Sequence, residues 1–250
     1  MSSKISSAAR SELAPTGKLR VGINLGNFLL VTKDPASGTL SGIVIDLARE
    51  LARRAGSPVE FFTYPGAGSL ADSAKSGAWD VAFLGAEPAR AAEIAFTGAY
   101  LEIEATYLVP PGSPIRSIEE VDREGVRIAV ADKSAYDLYL KRSLQHARLV
   151  PAQGIDASYE LFVAQKLEAL AGLKPRLVAD AARLPGSRML EGRFTAIQQA
   201  IGTPRARDAA AQYLRAFAED IKASGLVAQA IEKHRVRGVS VAPTTSPPPP

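Results

Sequence analysis

The chain has 250 residues, of which 46% are hydrophobic and 22% are charged. This is the composition of a globular protein, with enough residues for one large domain or for two lobes with separate cores. The formal charge of +4 arises from Lys and Arg interspersed with Asp and Glu, which favours mixed solvated faces over the one-sided basic face typical of nucleic-acid binding. The absence of cysteine excludes disulfide bonds and thiol catalysis.

Neither end of the chain has the pattern of a folded or membrane-spanning segment. No apolar run approaches the roughly 20 residues that cross a bilayer. Met1–Arg20 lacks the apolar stretch of a signal peptide, so the sequence leaves a removed leader and an intracellular location both open. The Ser-rich start and the proline-rich end predict disordered tails over residues 1–12 and 242–250.

The first part of the chain alternates strands and helices. Apolar alternation predicts a strand at Leu19–Asn24, and Val59–Thr63 is a second predicted strand. Asp80–Gly85 is rich in Val, Leu and Phe, which predicts a buried strand. A four-residue apolar period predicts a helix over Ile43–Ala55, which Gly56 ends. This βαβαβ order predicts a mainly parallel sheet with helices on its faces.

A second α/β segment follows the proline cluster Pro110–Pro114, which is the predicted crossing between lobes. The capping-box pattern Ser117–Glu120 predicts a helix start. Phe194–Ala200 then returns the chain to the first lobe, and a long helix begins at Thr203. The remaining predicted elements are strands over Val126–Ala131, Arg148–Pro151 and Leu167–Leu173 and helices over Ser134–Gln145, Asp156–Lys166 and Pro175–Arg183.

We therefore expect an α/β protein with two lobes. The first comprises residues 18–108 and 195–238, and the second comprises residues 109–194. Two chain crossings between lobes act as a hinge, and a cleft between lobes is where ligands usually bind.

Several short motifs, in order, resemble those of the family 3 bacterial extracellular solute-binding proteins, which serve amino-acid ABC transporters. The resemblance extends from about Leu19 to His234, and it is their order and spacing that make it specific. The motifs are Leu19-Arg20-Val21-Gly22, Gly42–Ala48, Gly77–Val81, Arg90 followed by Phe96-Thr97 and Tyr100, and Ile128-Ala129-Val130 followed by Lys133-Ser134.

The resemblance implies a type II periplasmic-binding fold, in which each lobe is a mainly parallel sheet flanked by helices. It implies a monomeric, non-enzymatic protein that closes around a small ligand and delivers it to an ABC permease. It further implies a periplasmic location, and no cofactor, metal, nucleic-acid partner or catalytic residue is expected.

The resemblance also implies a carboxylate-binding site. Arg90 stands where the family holds the ligand carboxylate with a bidentate guanidinium; the alternative is a surface arginine on a helix turn. Lys133, Ser134 and Ala135 match the helix start that adds hydroxyl and backbone N–H contacts, although Ser134 also suits a simple N-cap. Tyr136 follows in the same turn.

Other positions depart from the family pattern. Leu170–Pro175 has no carboxylate where the family binds an α-ammonium group, and Asn27 replaces a first-loop aromatic residue beside Phe28. Glu87 is positioned to accept a hydrogen bond from the ligand or to pair with Arg90. With Asn24 and Gly85 completing the expected site, the predicted ligand is a small organic acid or an atypical amino-acid-like compound.

Two other functional classes remain open from sequence. A dehydratase-like enzyme on this scaffold would need a general acid, for which Glu87, Lys133 and Glu102 are the candidates. His146 and His234 do not form a paired base or a metal site. A cytoplasmic ligand sensor is the other alternative.

Overall fold

The apolar periods of the sequence become helices and strands in the computed structural model, which describes residues 5–244. The helices are α1 Ser7–Leu13, α2 Ile43–Ala55, α3 Ala67–Asp72, α4 Ala135–Ser143, α5 Ile155–Ala164, α6 Lys174–Arg183, α7 Asp208–Ala223 and α8 Leu226–Lys233. The strands are β1 Leu19–Asn24, β2 Thr32–Lys33, β3 Leu40–Ser41, β4 Val59–Tyr64, β5 Val81–Gly85, β6 Ile94–Val109, β7 Arg127–Ala131, β8 Arg148–Ala152, β9 Ala169–Leu173, β10 Arg188–Met189, β11 Thr195–Pro204 and β12 Val239–Val241.

The chain divides into two compact units after Glu102 and again before Gln198, so that the second unit is Ile103–Ile197. Both divisions lie within strands, since β6 and β11 each continue from one unit into the other. The boundaries expected from sequence, after residue 108 and before residue 195, involve the same two strands.

In the first unit, the sheet runs in the order β4-β1-β5-β11-β6, and β12 also pairs with β6. Strand β1 is parallel to β4, with Leu19 opposite Val59, and to β5, with Val21 opposite Val81. The three strands therefore end at the same edge of the sheet. Strand β11 enters the sheet antiparallel to β5.

Helix α2 shows why the predicted bounds hold. Ile43, Leu47 and Leu51 are all buried, as their four-residue spacing predicts. Gly56 ends the helix in the left-handed region with φ of 66°, and its N–H is directed at the carbonyls of Ala52 and Arg53. The predicted helix over Ile43–Ala55 is therefore confirmed.

In the second unit, β7 lies parallel between β8 and β9, and β9 is antiparallel to β6. Helices α5 and α6 cover a core that includes Phe162, Leu170 and Leu177. The carboxyl ends of β7, β8 and β9 again share one edge. No helix among residues 5–244 combines the length and the apolar character that crossing a membrane requires.

The predicted disorder of residues 1–12 is wrong for the part that is described. Ser6 accepts a hydrogen bond from the Ala9 N–H at 3.1 Å and caps α1, while Ala9 and Leu13 are buried. Arg207 donates to the Glu12 carbonyl, which fastens the helix to the start of α7. The apolar stripe of α1 is too short to stand out among its polar neighbours.

The predicted disorder of residues 242–250 is wrong at its start. The Ala242 N–H donates to the Tyr100 carbonyl at 3.2 Å, and the buried Lys222 ammonium donates to the Pro243 carbonyl at 2.9 Å. The rest of the two predicted tails, residues 1–4 and 245–250, lies outside the described residues.

The capping-box pattern at Ser117–Glu120 does not begin a helix, so this prediction is wrong as well. The Glu120 carboxylate instead accepts from the Arg116 N–H at 2.6 Å, and the segment forms consecutive turns. The pattern satisfies backbone donors locally without an apolar face to propagate a helix.

A buried ionic cluster fixes the amino edge of the first sheet. Asp80 has no exposed surface and accepts a bidentate pair of hydrogen bonds from Arg20, at 2.9 and 2.8 Å. It also accepts from the Arg20 N–H at 3.0 Å and from Arg207 at 2.6 Å. This carboxylate therefore links β1, β5 and the start of α7.

A second ionic cluster joins α2 to α7. Glu50 accepts hydrogen bonds from Arg53 and Arg54, and Arg54 also pairs with Asp220 on α7. The Arg53 hydrogen bond lowers the pKa of Glu50 from 4.5 to about 2; partial burial opposes this shift, and Arg54 reinforces it.

We predict that Asp80→Asn lowers the free energy of unfolding by about 2–4 kcal/mol, because a buried carboxylate no longer balances the half-buried guanidinium groups of Arg20 and Arg207. Urea titration followed by circular dichroism measures the change. The control is Glu93→Gln, which removes an exposed pair with Lys75 and should cost less than about 1 kcal/mol. Equal effects of the two substitutions would contradict the structural role given to Asp80.

We predict that Glu50 makes stability fall with acid. Because its pKa in the folded state is depressed, its contribution is complete above pH 4.5 and is lost as the pH falls from 4.5 towards 2. Unfolding midpoints of the wild type and Glu50→Gln should therefore converge across that range. A difference between the two proteins that stays constant with pH would count against this account.

Candidate functional site

Three loops meet at the carboxyl edge of the first unit's sheet, because β1, β4 and β5 are parallel neighbours. In open α/β sheets this edge is where ligands bind. Among the residues proposed from sequence, Asn24, Asn27 and Phe28 belong to the loop after β1. Gly85, Glu87 and Arg90 lie at the end of β5 and in the loop that follows it.

The loop after β1 lies directly against the loop after β4. The Leu25 N–H donates to the Tyr64 carbonyl at 2.9 Å, and the Asn24 side-chain oxygen accepts from the Gly26 N–H at 3.0 Å. A Cβ at Gly26 would lie 2.8 Å from the Pro65 carbonyl oxygen, so only glycine permits this approach. Asn24 thus holds the turn that presents the next two residues.

Asn27 and Phe28 differ in their exposure. Asn27 is only 7% exposed, and its buried Oδ1 accepts no hydrogen bond. Phe28 is 42% exposed, which is unusual for a large apolar side chain. Tyr64, the last residue of β4, is partly buried and packs against the apolar cluster around Trp79.

The loop after β5 carries the buried charges. Glu87 and Arg90 are 7% and 6% exposed, and Arg90 lies in a short 3-10 turn over Pro88–Arg90. The Arg90 guanidinium donates to the Gly85 carbonyl at 2.6 Å. Arg90 is therefore buried within the first unit, which disagrees with the alternative of a surface arginine.

Burial lowers the pKa of Arg90 from 12.5 to about 10, while the negative charges of Glu87 and Asp72 act to raise it. At pH 7 the guanidinium remains charged. The attraction between Glu87 and Arg90 supports the pairing that the sequence left open.

In the second unit, the four proposed residues surround the start of α4 at the carboxyl end of β7. Ser134 is the N-cap, and its hydroxyl accepts from the Asp137 N–H at 3.1 Å. Asp137 is fully buried and accepts from the Lys133 N–H at 2.8 Å. Lys133 has φ of 54°, in the left-handed region, so the turn bends sharply into the helix.

Ala135 and Tyr136 are 7% and 3% exposed. Burial raises the pKa of the Tyr136 hydroxyl above its ordinary value, and its hydrogen bond with Ser134 opposes that shift. Tyr136 therefore packs inside the second unit and supports Ser134.

Sequence reasoning missed Glu104. Lys174, the first residue of α6, donates to the Glu104 carboxylate at 2.9 Å, and Arg193 pairs with the same carboxylate at 3.5 Å. Glu104 reaches this place because β6 and β9 are antiparallel, with Ala105 opposite Leu173. The sequence shows that Glu102 and Glu104 lie on the same face of a strand. It does not show that this strand pairs with β9, which is what brings Glu104 to Lys174.

No group of three or more His, Asp or Glu side chains within residues 5–244 is arranged to hold a metal ion. The proposed residues divide between the two units, with Asn24, Asn27, Phe28, Gly85, Glu87 and Arg90 in the first and Lys133, Ser134, Ala135 and Tyr136 in the second.

Two α/β units with polar loops at the carboxyl edges of their sheets define the class of the type II periplasmic-binding proteins, and solved structures share this fold. The chain belongs to the bacterial extracellular solute-binding proteins, family 3, whose sequence profile matches residues 19–236. The fold class and the family expected from sequence are thus confirmed. No curated protein sequence matches the chain.

Three solved structures illustrate the likeness. The solute receptor for L-cysteine of Neisseria gonorrhoeae has a TM-score of 0.76 and 21% identity, covering 93% of this chain and 96% of that one. An ancestral arginine-binding protein bound to arginine has a TM-score of 0.72 and 21% identity, covering 87% and 97%. The ancestral amino acid-binding protein AncCDT-1, a precursor of cyclohexadienyl dehydratase, has a TM-score of 0.72 and 22% identity, covering 90% of this chain and 98% of that one.

We predict that Ser134→Ala lowers the free energy of unfolding by about 1 kcal/mol, because α4 loses its cap. The matched control is Ser143→Ala at the other end of α4, where the hydroxyl donates to the Tyr139 carbonyl on the exposed side. The control should change stability by less than about 0.5 kcal/mol. Denaturant titration measures both, and equal losses would contradict the capping role.

Proposed function

We propose that this chain is the solute-binding protein of an ABC-type uptake system and that it closes on a small carboxylate-bearing metabolite. The observation that carries the proposal is the buried guanidinium of Arg90 at the carboxyl edge of the first unit's sheet. We further propose that the protein works in the periplasm as a monomer and delivers its ligand to a membrane permease.

A buried cation favours an anionic ligand. Removing a charged group from water is costly unless opposite charges and hydrogen bonds surround it. The Arg90 guanidinium donates to the Gly85 carbonyl at 2.6 Å, which fixes its orientation within the loop. A carboxylate matches such a fork, and each charge-assisted hydrogen bond contributes about 1.5–3 kcal/mol.

The start of α4 is the proposed contribution of the second unit. First-turn N–H groups have no acceptor within their own helix, and the helix dipole favours an anion there. The Ser134 hydroxyl is already used as the cap, so we propose that the backbone N–H groups of Ala135 and Tyr136 bind the ligand. Lys133 adds positive charge beside them.

The site does not suit a free α-ammonium group. Lys174 and Arg193 share the single carboxylate of Glu104, so the local charge after β9 is positive. An ammonium group at this place would be repelled by two cations. We therefore propose an organic acid or an atypical amino-acid-like ligand and expect standard amino acids to bind weakly.

Binding without turnover fits the candidate acids better than dehydration does. Glu102 accepts a hydrogen bond from the Gln198 side chain at 3.0 Å, and Glu87 is electrostatically coupled to Arg90. Each of these carboxylates therefore already has a partner within the first unit. The proposal is accordingly a binding protein rather than an enzyme.

We predict that Arg90→Gln weakens carboxylate binding by about 10- to 150-fold, which corresponds to the loss of about 1.5–3 kcal/mol. Calorimetry on a panel of small mono-, di- and hydroxycarboxylates and the standard amino acids measures the affinity. The control Arg53→Gln removes an exposed guanidinium in the same unit and should leave affinity unchanged.

Two results would overturn the proposal. One is equal affinity of Arg90→Gln and the wild type for every acid that binds. The other is nanomolar binding of a standard amino acid by the wild type. Circular dichroism of each variant checks that a lost affinity does not reflect a lost fold.

A further inference from the structure

The side chain of Asn27 makes no hydrogen bond that explains its burial. More than nine-tenths of the residue is buried, and its Oδ1 has no hydrogen-bond partner. Buried polar groups in folded proteins are nearly always paired, because an unpaired one loses its water without compensation. An orphaned acceptor of this kind calls for a specific explanation.

The turn does not need this side chain. The Asn27 N–H donates to the Asn24 carbonyl, and the Asn27 carbonyl accepts from the N–H groups of Leu30 and Val31 at 3.0 and 3.2 Å. The backbone of the loop is therefore satisfied without the amide. The neighbouring amide of Asn24, in contrast, is used to hold the Gly26 N–H.

The position of Asn27 in the fold offers an explanation for its unpaired amide. It lies in the loop after β1, at the sheet edge where the loop after β5 carries the buried Arg90. Three other buried side-chain atoms in the described chain are also unpaired, those of Tyr100, Asp137 and Ser187, but none belongs to a loop at this edge. Asn27 is thus placed to meet a ligand that Arg90 holds by its carboxylate.

The chemistry of an amide selects the group that it meets. The Oδ1 atom needs a donor, and the Nδ2 group of the same amide offers donors of its own. A carboxylate or a ketone brings no donor. An ammonium group brings donors only, so it cannot pair with the amide in the orientation that directs Nδ2 at the ligand. A hydroxyl both donates and accepts, so it satisfies the amide in either orientation.

We propose that Asn27 is a specificity-determining residue and that the ligands of this protein are small hydroxycarboxylates. This inference rests on the proposed function, since it takes the carboxylate of the ligand to be bound by Arg90. Asn27 receives the hydroxyl, and the exposed ring of Phe28 beside it covers the apolar part of the ligand. An analogue without the hydroxyl leaves the amide unpaired, which is a strong basis for discrimination.

The test uses matched pairs of acids that differ only in one hydroxyl, lactate with propionate and malate with succinate. Calorimetry on the wild type should show at least a tenfold preference for the hydroxy acid in one pair. In Asn27→Leu, an apolar side chain of similar shape, the two acids of that pair should bind equally, at the affinity of the deoxy acid. Asn27→Ala is the second variant, in case the leucine disturbs the loop.

Thermal unfolding without ligand separates recognition from a structural role. Because Asn27→Leu removes an unpaired polar group, its melting temperature should equal or exceed that of the wild type. A lower melting temperature in both Asn27→Leu and Asn27→Ala would overturn the inference, and so would a hydroxyl preference that persists in either variant.

Arg90→Gln distinguishes this inference from the proposed function. If it weakens both acids of a pair alike while Asn27→Leu removes only the preference, both proposals stand. If the wild type binds the acids through Arg90 without any preference, the role of Asn27 is wrong and the carboxylate site stands. If the wild type binds other carboxylates of the calorimetric panel but no hydroxy acid, the role of Asn27 is wrong and the carboxylate site stands. If it binds no carboxylate at all, both proposals fail.

Discussion

The burial of one positive charge constrains the whole edge of the first unit. Arg90 is removed from water at the end of a parallel strand, where its guanidinium meets the Gly85 carbonyl and the fields of Glu87 and Asp72. These neighbours keep it charged at neutral pH although burial lowers its pKa. Under the proposed function, this cation is oriented before the ligand binds, so the ligand need not order it.

The orientation of this loop depends on the sheet more than on the loop itself. The Ala86 N–H donates to the Gln198 carbonyl at 2.8 Å, which ties the loop to β11, and the Gln198 side chain donates to Glu102 on β6. Both strands continue into the second unit. The loop after β5 is thereby hydrogen-bonded to β11, whose Gln198 side chain in turn contacts β6, and these are the two strands that run from one unit into the other.

Sequence was sufficient wherever local signals and a single apolar face agreed. The bounds of β1 and α2 match the prediction because alternation, the four-residue period and a left-handed glycine all lie within the segment itself. It failed where the deciding contact was distant. Helix α1 depends on Arg207, and Glu104 reaches Lys174 only through the pairing of β6 with β9. The loop residues of the site were predictable in position, but the orphaned amide of Asn27 was not, since burial and hydrogen-bond pairing are properties of the folded chain.

Departures in both units point to the same kind of ligand. In the first unit, the amide of Asn27 stands where the family pattern has an aromatic ring. Its unpaired oxygen can accept a hydrogen bond from a neutral donor. In the second, Lys174 and Arg193 surround the single carboxylate of Glu104, which disfavours another cation. The fold that this chain shares with solved amino-acid-binding proteins does not by itself carry over their ligands. The proposed ligand, whose polar groups are a carboxylate and a hydroxyl, supplies the donor that the Asn27 amide lacks and brings no further cation to the residues after β9.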